Sequence, residues 1–250
     1  MMIKKVIHDD CFNYFDEIKD KSIDLICADL PYGTTKCKWD STLPLDELWV
    51  EYKRVIKDNG CIVLFGQTPF DKVLGCSNLG MLKYEWIYEK PQATGFLNAK
   101  KMPLKAHENI LVFYKKPPTY NPQKTYGHKP INSYTKKADV QNKTDVYGKV
   151  SKDVSGGGET ERYPRSVKVF KSDKQKNKLN GTIHPTQKPL DLIKFLIKTY
   201  TNEKDLVLDN VAGSGTTAVA CEELNRGYIV IEKEKKYYDI ILKRIGLLEK

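Results

Sequence analysis

The apolar positions of this chain fall into short continuous runs separated by stretches of helical period. Ile3–His8 reads as a short strand, Cys11–Ile18 as a short amphipathic helix and Ile23–Ala28 as a buried strand. Leu48, Tyr52 and Val55 repeat at helical spacing through Leu45–Ile56; Asn59-Gly60 then punctuates, and Cys61–Phe65 is another buried strand. Tyr84–Tyr88 and Ile110–Tyr114 read as two later strands suited to antiparallel pairing. Further along, Leu190–Tyr200 is an amphipathic helix opened by Pro189, and Leu206–Leu208 is a strand ending in Asp209. Thr216–Asn225 is a helix, Gly227–Ile231 a strand ending in Glu232, and Lys236–Leu247 a last helix. Such alternation predicts an α/β fold: a Rossmann-like, mostly parallel sheet with helices on both faces.

From Lys115 to Thr182 the periodicity is lost. Pro117-Pro118, Pro122, Pro130, Gly156-Gly157-Gly158 and Pro164 break long elements, leaving one short strand expected at Arg165–Phe170. The chain carries a net charge of +10, and this segment, with 16 Lys plus Arg against 6 Asp plus Glu, holds the whole excess. Tyr120, Tyr126, Tyr134, Tyr147, Tyr163 and Phe170 interleave with its cations. Cations for phosphates and aromatics for bases or packing point to a nucleic-acid surface, although Lys-rich loops also serve as plain solvated surface. The chain is therefore divided into residues 1–114, an irregular basic insertion over 115–181, and residues 182–250.

Composition excludes other classes. No apolar run approaches the roughly 20 residues of a membrane helix, and the first residues lack a signal-peptide core. The six cysteines form no CxxC pair, which suits reduced thiols in a cytoplasmic protein and argues against a bound metal such as zinc.

Candidate chemistry lies in two places. At the end of the Ile23–Ala28 run stands Asp29-Leu30-Pro31-Tyr32-Gly33. Proline at 31 removes a backbone donor and pushes Leu30 toward extended geometry, leaving the Asp29 carboxylate and the Leu30 carbonyl as acceptors beside an aromatic ring. Two acceptors and a stacking face suit a planar base with an exocyclic amine; the same residues equally suit a turn in which Asp29 satisfies local amides. Near the other end, Ala212-Gly213-Ser214-Gly215-Thr216-Thr217 joins a strand closed by Asp209 to a helix, and Glu232 closes the next strand. Glycines there allow close approach of a ligand, and the second acid is placed for ribose hydroxyls. The turn lacks a P-loop Lys and the third glycine of a dinucleotide fingerprint, so a nucleoside without a pyrophosphate fits better than ATP or NAD.

In combination these segments resemble the permuted (beta-type) DNA amino-methyltransferases, adenine-N6 or cytosine-N4 specific. Asp29-Leu-Pro-Tyr32 is similar to the family's catalytic Asp-Pro-Pro-Tyr; Asp209-Asn-Val-Ala-Gly-Ser-Gly-Thr-Thr217 resembles its S-adenosylmethionine loop. His184-Pro-Thr-Gln-Lys-Pro189 matches the segment that precedes that loop, and Val6–Cys11 resembles the strand bordering the cofactor adenine. Leu30 stands in place of the first proline, where a carbonyl is the required group, and Val211 in place of a phenylalanine.

The resemblance implies a circularly permuted methyltransferase fold, S-adenosylmethionine as cofactor and double-stranded DNA as partner, with a homodimer admitted. It implies catalytic roles for Asp29, Leu30, Pro31 and Tyr32. It also implies cofactor contacts from Asp10 to the adenine amine, Glu232 to the ribose, and Thr216 and Lys188 near the methionine carboxylate. Cys11, Asp29, Asp209, Val211, Ala212, Gly213, Ser214, Gly215 and Thr217 complete that set. For Asp10 a helix N-cap is the competing role, and for His184 and Lys188 surface contact or helix-start packing. Aspartate at 29 favours adenine N6 over cytosine N4, with an RNA base or a catalytically silent nucleic-acid-binding module as alternatives.

Overall fold

A computed structural model describes residues 2–33, 41–136, 153–173 and 187–247. Met1–Asn121 and Ser166–Lys250 form one compact unit and Pro122–Arg165 another. The larger unit holds an eight-stranded sheet in the order β1-β10-β9-β2-β3-β5-β4-β8. Its strands are β1 (Lys4–Ile7), β2 (Ile23–Ala28), β3 (Ile56–Gly66), β4 (Leu82–Thr94), β5 (Lys105–Phe113), β8 (Val167–Val169), β9 (Leu206–Asp209) and β10 (Gly227–Ile231). Neighbours from β1 through β3 are parallel; β5 runs antiparallel to both β3 and β4.

The central strands β2, β9 and β10 and the second half of β3 are apolar on both sides because helices cover both sides. Alternate residues separate into two cores, as the two-residue period of a strand requires. Ile26, Ile62, Leu64, Leu208 and Ile229 pack beneath α1 (Cys11–Tyr14), α2 (Leu45–Val55) and α3 (Phe70–Ser77). Leu25, Cys27, Val63, Val207 and Val230 face α4 (Leu190–Tyr200), α5 (Thr216–Leu224) and Ile241 of α6 (Lys235–Arg244). Among the described residues, no helix is long and apolar enough to cross a membrane.

Several boundaries differ from those expected. Asn59-Gly60 does not separate α2 from the next strand: β3 starts at Ile56, directly where α2 ends. Pairing with β2 jumps from Ile23↔Ile56 to Leu25↔Cys61, so Lys57–Gly60 form a bulge inside the strand. At Gly60 a Cβ would lie 2.7 Å from the Ile56 side chain and 3.1 Å from the Asp24 carbonyl, which is why glycine marks a close approach there and not a chain reversal. The expected Cys11–Ile18 helix divides into α1 and a 3₁₀ turn at Phe15–Glu17. Helix α3 leaves no periodic signal in the sequence because its eight residues span too few turns. In the smaller unit, β6 (Tyr134–Lys136) pairs antiparallel with β7 (Val154–Gly156), and Thr125 bridges Arg162.

Neighbouring strands β9 and β2 lead to opposite halves of the sheet: the chain leaves β9 through α5 to β10, and leaves β2 through α2 to β3. Their carboxyl ends therefore bound the crevice at which an open α/β sheet binds its ligands.

Candidate active site at the strand crossover

The loop after β2 contributes Asp29, Leu30, Pro31 and Tyr32. Asp29 is partly buried and Leu30 fully so. The Tyr32 hydroxyl donates to Asp29 Oδ1 at 2.6 Å, and its ring stacks on Phe70 at a centroid separation of 5.2 Å. Lys188, just before α4, places its ammonium 2.7 Å from Asp29 Oδ2 and 2.9 Å from Glu108 Oε2. Glu108 is also paired with Lys90 of the neighbouring strand at 2.7 Å. The result is a chain of alternating charge, Lys90–Glu108–Lys188–Asp29, reaching the crevice from β4 and β5.

Burial raises the Asp29 carboxyl above its ordinary value, against the opposing pull of Lys188; the Glu108 charge adds to the rise. Burial would also raise Glu108, yet Lys188 and Lys90 outweigh it and hold that carboxyl at about 2. Burial disfavours the Lys188 ammonium, but the charge of Asp29, with Glu108 beyond it, raises Lys188 well above the usual lysine range. The Tyr32 phenol is pushed far up by burial and by the Asp29 charge, so it acts as a neutral donor. A carboxylate offers about four lone-pair sites, so Tyr32 and Lys188 leave Asp29 capacity for a further donor.

Across the crevice, the turn after β9 is held from below. Buried Asp209 accepts from the Val211 amide at 3.2 Å and the Thr217 hydroxyl at 2.6 Å. Burial pushes its carboxyl up to about 7. Gly213 and Gly215 have φ of +53° and +75°, the left-handed region that glycine enters freely. The Glu232 carboxylate accepts from the Gly213 amide and the Glu234 amide, each at 2.8 Å, and burial raises its pKa. Ala212 and Ser214 are buried, as are Thr216 and Thr217. Asp10 caps α1 through the Phe12 amide at 3.1 Å. The neighbouring Cys11 thiol, pushed up to about 11 by burial, receives the Asn210 amide at 3.6 Å.

The sequence-selected residues thus converge at the carboxyl ends of β2, β9, β10 and β1. Lys188 is engaged by two carboxylates, Asp209 by the turn itself, and Asp10 by the helix cap. His184 lies outside the described residues. Sequence reasoning missed Glu108, Lys90, Phe70, Asn210 and Arg244. Arg244, near the end of α6, donates to the Ser214 carbonyl at 2.6 Å and approaches the Thr216 hydroxyl at 3.3 Å. Asn210 accepts from the buried Tyr52 hydroxyl at 2.5 Å.

The crevice fits S-adenosylmethionine. It offers a glycine turn without a phosphate-binding lysine, a carboxylate closing the adjacent strand, and an acid at the facing strand end. Comparison with known proteins agrees. A DNA methylase family model (N6/N4 methyltransferases) matches residues 23–243. The type II methyltransferase M1.MboII of Moraxella bovis is 31% identical over 94% of this chain and 94% of its own. The DNA adenine methyltransferase YhdJ of Escherichia coli is 30% identical over 98% of this chain and 83% of its own. The crystal structure of the M1.HpyAVI–SAM complex superposes with a TM-score of 0.68 at 25% identity, covering 98% of this chain and all of that one. The chain belongs to the N6/N4 DNA methylase family and is an S-adenosylmethionine-dependent DNA methyltransferase.

Proposed function

We propose that the protein methylates the N6 amine of adenine flipped out of duplex DNA, with Asp29 at the reaction centre. The observation carrying this reading is the Asp29 carboxylate, paired with Lys188 at the crossover crevice beside a Tyr32 ring backed by Phe70. A base amine is a weak nucleophile because its lone pair is delocalised into the ring. Asp29 accepts one N–H and the Leu30 carbonyl the other, which turns the lone pair out of conjugation and orients it. Pro31 fixes the loop that presents both acceptors, and Tyr32 stacks on the extruded base. Asp29 then takes the proton that the amine gives up, a role suited to a carboxylate whose basicity burial has raised. S-adenosylmethionine, when bound, supplies an electrophilic methyl group carried on a sulfonium.

For the cofactor, the Gly213–Gly215 backbone with Val211, Ala212, Ser214, Thr216 and Thr217 forms one wall. Glu232 accepts from the ribose, Asp10 from the adenine amine with Cys11 beside it, and Lys188 serves the methionine end together with Asp29. Asp209 supports the turn. The basic stretch 115–181 is assigned to recognition of the target sequence; its excess of cations suits phosphate contacts.

Adenine is favoured over cytosine by the aspartate at 29 and by the similarity to a protein named as a DNA adenine methyltransferase. The test is transfer of a tritiated methyl group to unmethylated genomic DNA, followed by digestion and nucleoside chromatography. Label is expected in N6-methyladenine. Label in N4-methylcytosine would reassign the base, and label in neither, with RNA labelled instead, would overturn the reading.

A further inference from the structure

We propose that the tip joining β4 to β5 is a DNA-contacting wedge that acts on the duplex while the target base is extruded. The tip carries Phe96 and Leu97, 82% and 95% exposed, with Met102 and Leu104 also exposed. Soluble proteins rarely leave two adjacent large apolar side chains this bare without a partner. They are also held out by ordered backbone. Gly95, at φ +90°, opens a 3₁₀ turn over Phe96–Asn98, and the Asn98 carbonyl accepts from the Lys101 and Met102 amides at 2.8 and 3.0 Å.

Charge identifies the partner. From Lys90 to His107 the sequence contains no acid, while Lys100, Lys101 and Lys105 flank the apolar pair. An apolar tip ringed by cations is repelled by a basic surface and matched by a polyanion. Aromatic and aliphatic wedges between base steps, with lysines on the adjoining phosphates, are how proteins unstack and bend a duplex.

Position supplies the second argument. Gly66, the last residue of β3, pairs with Asn109 of β5, so the tip projects beyond the same carboxyl edge that carries Asp29. The hairpin is continuous with the charge chain: Glu108 pairs in register with Tyr88, and Lys105 with Thr94. Lys105 lies three positions before Glu108 along β5, which places the start of the tip roughly 10 Å beyond the pair that secures Lys188 against Asp29. A duplex presenting a base to Asp29 is thus within reach of the tip, where an apolar side chain could occupy the gap that extrusion leaves.

This inference rests on Asp29 marking the reaction centre, and the test separates the two. Full-length protein with Phe96→Ser and Leu97→Ser together, and a second variant with Lys100→Gln and Lys101→Gln, are compared with the intact protein. All are assayed for methyl transfer to unmethylated genomic duplex DNA, for S-adenosylmethionine affinity by calorimetry, and for sedimentation at the assay concentration. The apolar variant is expected to lose at least about tenfold in duplex methylation with cofactor affinity and sedimentation unchanged. The lysine variant is expected to bind duplex DNA with a salt dependence shallower by about 2 in logarithmic slope, one phosphate contact for each lysine. Unchanged methylation in the apolar variant would overturn the proposal. So would a loss of activity accompanied by dissociation of a larger species, because the tip would then belong to an interface with a second copy. Full activity in an Asp29→Asn protein beside an impaired tip variant would contradict the assignment of Asp29 alone.

Discussion

Asp29→Asn is expected to lower methyl transfer by about 10³-fold or more while the protein folds normally. The amide keeps the shape of the carboxylate and one acceptor oxygen, so the Tyr32 hydroxyl retains a partner. What is lost is the charge, and one acceptor becomes a donor pointed at groups that also donate: the Lys188 ammonium and the incoming amine. Lys188 keeps Glu108 at 2.9 Å, so no buried cation is stranded. Cofactor affinity is expected to fall by no more than about tenfold, the worth of a single charge-assisted contact. Single-turnover transfer and calorimetric titration of S-adenosylmethionine on the same preparation separate the two effects. Equal losses in both would make Asp29 a binding residue.

Gly215→Ala is the second large effect, and it acts through the backbone. At φ +75° an L-residue costs about 1–2 kcal/mol. Its Cβ would also sit 2.7 Å from Ile241 Cγ1 and 2.8 Å from Cγ2, both on a fully buried side chain that packs α6 against the sheet. Overpacking of that kind adds about 1–3 kcal/mol. Together they amount to about 3 kcal/mol and lower the melting temperature by roughly 6–12 °C in a chain of this size. Relief by movement of the turn would displace the Ser214 carbonyl from Arg244 and the Gly213 amide from Glu232. Cofactor affinity is therefore expected to drop at least tenfold, about 1.4 kcal/mol, even below the unfolding transition. Thermal unfolding with and without cofactor checks both parts. An unchanged melting temperature would mean that the turn accommodates a side chain.

The parts of this molecule that were legible in its sequence are those whose chemistry is contiguous. Asp29 through Tyr32 could be read because a proline and an aromatic sit beside the carboxylate. The glycine turn could be read because a tight backbone turn needs its glycines in a row. Buried parallel strands announced themselves as unbroken apolar runs. Glu108 could not be found that way. It occupies a strand position between His107 and Asn109, and its role follows from being across the β4–β5 ladder from Tyr88 and within reach of Lys188, which is 80 residues away in the chain. Arg244 looked like any cation in the last turn of a helix, and Phe70 like any residue opening a short one. Pairing register and helix packing decide these contacts, and neither leaves a local pattern. Asn59-Gly60 misled for a related reason: the pair that normally reverses a chain here lets β3 bulge past Ile56 and Asp24.

Whether a charged Asp29 carries the reaction is tested most directly by the pH dependence of single-turnover transfer in three proteins: intact, Lys188→Met and Glu108→Gln. Only ionised Asp29 accepts the amine, so the rate should fall as pH drops through the Asp29 pKa. Removing the Lys188 cation takes away the largest pull against burial, leaving only the Tyr32 hydrogen bond, and should move that acid limb to higher pH. Removing the Glu108 charge eliminates a neighbour that raises the Asp29 pKa and should move the limb to lower pH. Opposite displacements of the two variants about the intact protein are the expected result. Three superimposable profiles, or two limbs displaced the same way, would contradict an ionised Asp29 at the centre of the chemistry.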